Sequence, residues 1–170
     1  MKPLHKATIG ALQQVQHLVE ASDRQRYNQP SRHSESGIGR HVRHILDHFL
    51  ALQQGIKQGC IDYNQRHRDS QLEQDPMIAL QLIHQLNHWF SVSETTLADA
   101  PIRVESEISS VQQCSQQFDS SIDRELCYLI NHTVHHVAYA KLVAKELGLL
   151  VNAKIGIAPS TASYLRQQAN

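Results

Sequence analysis

Four stretches of this sequence repeat apolar residues at three- and four-residue intervals, and that period commits most of the chain to amphipathic helices packed face to face. The first runs from Leu4 to Ala21, where Leu4, Ala7, Ile9, Ala11, Leu12, Val15, Leu18 and Val19 form the stripe. A second spans about Ile38 to Ile56, with Ile38, Val42, Ile45, Phe49, Leu52 and Ile56 on one side. Ser34 or Ser36 stands where a capping residue belongs, and Gly59 where a helix of that length stops. The third begins at Pro76, a favoured first-turn residue, and carries Met77, Leu80, Ile83, Leu86 and Phe90. The fourth starts near Ser120 or Ser121 and continues to Leu147, with Gly148 as its stop.

The segments between them are shorter on pattern. CIDYNQRHRDSQLEQDP, ending at Pro76, is polar and lacks the helical period, so it reads as an ordered loop. Residues 102–118, with Val104, Ile108 and Val111, alternate weakly and allow a short hairpin or an extended connection. The tail GIAPSTASYLRQQ offers a Pro-Ser-Thr helix start. A chain of 170 residues is of a size for one domain. The expectation is therefore an all-α fold, one domain over residues 1–170. It is an up-down four-helix bundle with a long crossover, a short hairpin before the last long helix and a short C-terminal helix.

Charge narrows the function. Lys plus Arg and Asp plus Glu each number 16, so the basic footprint of a nucleic-acid binder is missing. The first twenty residues break their apolar positions with Lys, Gln and His, which is not a signal-peptide pattern, and no window is apolar enough to span a membrane. These features, with three cysteines in neither a close pair nor an even set, point to a reduced, cytoplasmic protein with no membrane partner.

Histidine is the outlier, at 12 residues, half of them in two short segments. In the last long helix, His132 and His136 are one turn apart and share the face of Leu129, Ala140, Val143 and Leu147, whereas His135 falls roughly 60° outside that pair. In the second helix, His41, His44 and His48 lie in a strip about 60° wide at the margin of the apolar stripe. Burying several imidazoles costs desolvation for each nitrogen, and one bound cation satisfies several together. Thr133 stands where H-E-x-x-H places its Glu, which disfavours a zinc protease, and neither the inward Glu-x-x-His pairs of a di-iron bundle nor a glycine-rich phosphate loop is present. A mononuclear site with three imidazoles and an open position fits best. Asp47, His48, His135 and Tyr139 adjoin it by helical spacing.

Three functions compete: a metal-dependent enzyme on a small molecule, a non-catalytic metal-binding or sensor protein in which His48 or His41 closes the shell, and a metal-free structural or dimerising bundle. The loop residues Tyr63, Arg66, His67 and Arg68 form a basic, aromatic run that suits either an acidic substrate or a solvated loop.

Ser36-Gly37 followed by IGRHVRHILDH, together with NHTVHHVAYAKLVAKELG, resembles the DinB/YfiT-like metalloprotein superfamily of four-helix bundles. DYNQRHRD at 62–69 and GIAPSTASYLR at 156–166 look like one bacterial branch of it. The resemblance implies a divalent ion, zinc or nickel, held by His44, His132 and His136, with His48 and His41 as alternates. It also implies a thiol-dependent transferase or isomerase using a low-molecular-weight thiol. The Arg-Gly-Gln typical after the paired histidines is replaced here by Val137-Ala138-Tyr139, so no particular thiol is implied.

Overall fold

The computed structural model describes residues 2–65, 67–68, 70–92 and 99–168. The chain forms α1 (Pro3–Glu20), α2 (Arg24–Asn28), α3 (Ile38–Gln58), β1 (Cys60–Asp62), a 3₁₀ turn (Gln71–Glu73), α4 (Pro76–Val92), β2 (Pro101–Glu107), β3 (Ser115–Ser121), α5 (Ile122–Glu146) and α6 (Pro159–Gln168). The helix ends follow local chemistry. Gly59 takes φ 79° after α3, which a residue with a Cβ resists, and the Ser121 side chain accepts the Arg124 N–H to cap α5. Neither Ser34 nor Ser36 caps α3; its N-cap is Gly37, with no side-chain bond.

Contacts set the directions of the long helices. Gly39 lies against Glu73, just before α4, and Phe49 meets Phe90 at 5.9 Å between ring centres, so α3 and α4 run the same way. His41 sits beside Tyr139 and His48 beside Tyr128, so α5 runs opposite to α3. Residues 59–75 thus carry the chain back along α3 before α4 begins. Leu12, Val15, Ile45, Phe49, Ile83, Phe90, Leu126 and Val137 belong to the single core cluster between these helices.

The all-α expectation is corrected here. β1, β2 and β3 form one sheet in that order, β1 parallel to β2 and β2 antiparallel to β3, with Ile61 opposite Val104 and Val104 opposite Phe118. The weak alternation after Pro101 folds as the hairpin, and the stretch read as a plain loop adds β1 beside it and the 3₁₀ turn. Ile61, Ile102 and Val104 join the core, so the sheet closes one end of the helical layer and the fold is mixed rather than a four-helix bundle. Among the described residues no helix is long and apolar enough to cross a membrane.

Candidate metal centre

The antiparallel α3–α5 seam brings the two histidine segments to one height. His44 from α3 and His132 and His136 from α5 each offer a ring nitrogen, and these nitrogens lie within 4.8 Å of one another. Ring centres are 4.4 Å apart for His44 and His136, 4.5 Å for His132 and His136, and 4.9 Å for His44 and His132. All three side chains are half-buried. Three imidazoles, converging from two helices and half-exposed, are a donor set suited to zinc or nickel.

The alternates flank this trio without entering it. His48 is buried, donates its Nδ1–H to the His44 carbonyl at 2.9 Å, and lies over His132 at 4.0 Å between ring centres. His41 is on the opposite flank, with its Nδ1 3.5 Å from Nδ1 of His136 and its ring 4.8 Å from that of Tyr139. Burial lowers the pKa of His41, with the charges of Arg40 and His135 acting in the same direction. His135 is exposed, and its ring stands nearly perpendicular to that of His136 with centres 5.3 Å apart.

Asp47 is spoken for elsewhere. Its buried carboxylate accepts from Arg43 at 2.6 Å and from Nδ1 of His67 at 2.8 Å, while Arg43 also donates to Glu73. The loop run read as an acidic-substrate contact is divided by this arrangement: His67 is pinned on Asp47, Arg68 is exposed, Tyr63 turns inward, and Arg66 is outside the described residues.

Tyr63 leads to a feature the sequence reading missed. Its ring stacks on His48 at 5.1 Å, and its hydroxyl donates to Glu125 at 2.8 Å. Burial first, then the Glu125 carboxylate, raises the Tyr63 pKa far above the ordinary phenol value, so the phenol stays a donor. Glu125, in the first turn of α5, is fully buried and also accepts from Ser120 at 2.5 Å and Arg124 at 2.7 Å. These groups line a cavity of about 490 Å³ between β2, β3 and the start of α5. Tyr128 joins cavity and trio, its ring 5.4 Å from that of His132. Helical spacing could have found both residues, since Glu125, Tyr128 or Leu129, His132 and His136 recur every three or four positions on one face of α5.

Comparison with known proteins does not support the resemblance drawn from the histidine strings. No family model matches the chain, and no solved structure matches it. A stretch of 108 residues, 64% of the chain, is 32% identical to FK506-binding protein 5 of Rhizopus delemar. The chain spans 28% of that protein's length. The DinB/YfiT-like assignment and its bundle-metalloenzyme description are corrected accordingly, as the sheet already requires of the bundle. Paired histidines one turn apart are a spacing any amphipathic helix can carry, and the short strings around them were the rest of the support. The thiol co-substrate rested on that resemblance alone.

Proposed function

We propose that this chain is a divalent-metal-dependent enzyme acting on a small molecule, in a cytoplasmic setting that suits its three free cysteines. The observation that carries the reading is the meeting of His44, His132 and His136 nitrogens within 4.8 Å, beside a cavity large enough for a small substrate. At a three-nitrogen centre a divalent ion supplies Lewis acidity, which makes water ionisable near neutral pH and polarises a bound carbonyl. The surrounding residues supply orientation. The His44 carbonyl fixes the Nδ1–H tautomer of His48, and Glu125 holds the Tyr63 ring against His48, so the wall between the trio and the cavity is rigid. A binding or sensor protein would use a closed shell; His48 and His41 stand outside the convergent set, which favours a centre with room for a substrate.

The test is metal content. Protein purified without a histidine tag, loaded with zinc or nickel and dialysed, is expected to retain about one ion per chain, and His44→Ala is expected to retain none. Wild type that retains no metal after loading overturns the proposal. Identity to FK506-binding protein 5 supports a second reading, FK506 binding by the matched stretch. Titration of FK506 into the same protein decides it, saturable binding being expected and its absence removing that reading.

A further inference from the structure

The cavity beside the trio has a chemical character of its own. Three rings, those of Tyr63, Phe118 and Tyr128, line it together with Val104. Its lining includes Glu125, Asp119 and Arg124, but Asp119 pairs with Arg103 and alternates to the face of β3 opposite Phe118 and Ser120, so Glu125 is the carboxylate that meets the guanidinium. Glu125 is fixed, because it is fully buried and held by the Tyr63 and Ser120 hydroxyls. Arg124 is less confined, with its side chain 64% exposed. Its guanidinium carbon stands 5.5 Å from the centre of the Tyr128 ring, and Nη1 donates to Glu125 Oε1 at 2.7 Å. The chain's own cation therefore makes the two contacts by which aromatic sites take a positively charged nitrogen, the face of a ring and a carboxylate.

We propose that this cavity binds a small organic cation, a flat and largely apolar molecule bearing an amine, amidine or guanidine group, which takes the place of Arg124 over Tyr128 and beside Glu125. Naming this ligand as the substrate rests on the metal-centre reading; the binding itself uses none of the three imidazoles. The charge balance selects the class. With Arg124 swung out into solvent, the cavity presents the buried Glu125 carboxylate, so an anion is repelled and a neutral molecule leaves Glu125 without one of its three donors, whereas a cation replaces it. A volume of about 490 Å³ accommodates a ring and a short chain. The ligand would lie with its cationic end against Tyr128, whose ring adjoins that of His132, which places that end on the trio's side of the cavity.

Benzamidine, benzamide and benzoate have one shape and three charges, and calorimetric titration of each into metal-free protein separates the possibilities. Benzamidine is expected to bind at least tenfold more tightly than the other two. Arg124→Gln removes the competing cation but keeps a donor for Glu125, and should tighten benzamidine binding several-fold. Tyr128→Leu, checked for an unchanged melting temperature, should weaken it. Benzoate binding as tightly as benzamidine overturns the proposal, as does a benzamidine affinity unmoved by Arg124→Gln. Since metal is absent from these titrations, their failure leaves the metal assignment standing, and a failed metal analysis leaves the cation site standing.

Discussion

His44 is not at the centre of the apolar stripe of α3; His41 and His48 lie nearer to it on a helical wheel, yet the convergent nitrogens are those of His44, His132 and His136. A ligand has to face the neighbouring helix, and the α3–α5 seam runs along the margin of the stripe rather than its middle. His44→Ala, His132→Ala and His136→Ala should each lose stoichiometric metal by elemental analysis, while His135→Ala retains it, because a side chain one residue off points about 100° away. Equal loss in His135→Ala would show that the ion sits on another edge of α5. His41 gives a separate, proton-linked expectation for metal-free protein. Its folded pKa is depressed, chiefly by burial, so below the ordinary imidazole value the unfolded chain binds more protons and stability falls as pH drops. In wild type the melting temperature should fall from pH 7 to pH 5, and His41→Gln should flatten that slope; an identical slope in the variant would remove His41 as its source.

At the scale of elements, the returning segment 59–75 is fastened to α3 by a close approach and by buried charge. A Cβ on Gly39 would stand 2.1 Å from the Glu73 carbonyl oxygen, so Gly39→Ala must push the 3₁₀ turn off the helix. The expected cost is about 1–3 kcal/mol in denaturant unfolding, and a neutral result would mean that the turn moves freely. Asp47→Ala leaves Arg43 buried with only Glu73 as its anionic partner and releases His67, for an expected loss of about 3–5 kcal/mol. These fastenings explain which elements were legible in the sequence. The long helices announce themselves through local period and through Gly59, Pro76 and Gly148. The sheet does not. Every side chain of β3 from Ser115 to Asp119 is exposed, so no apolar alternation marks it, and β1 has three residues whose partner, β2, lies some forty positions on. Strand pairing across such a distance is a tertiary fact that no window of residues contains. The histidines were legible for the same reason as the helices, by one-turn spacing. The Glu125–Tyr63 bond, spanning 62 positions, was not.

For the whole molecule, the trio ties α3 to α5 across roughly ninety residues of chain, so its nitrogens converge only when the core is formed. An ion that binds the folded state and not the unfolded one adds RT ln(1 + [L]/Kd) to stability, about 2.7 kcal/mol at a hundredfold excess over Kd. In a chain of 170 residues each kcal/mol moves the melting temperature by about 2–4 °C, so zinc should raise it by about 5–11 °C at pH 7.5. Imidazole must be neutral to bind, and its reference pKa is about 6.5, so the increment should shrink below pH 6 as protons compete for the same nitrogens. His44→Ala, which leaves both α5 imidazoles in place, is the decisive comparison. If the ion is shared between the helices, this variant melts at the same temperature with and without zinc. A rise equal to that of wild type would mean that the ion is held by α5 alone, and that the convergence of the two helices contributes nothing to its binding.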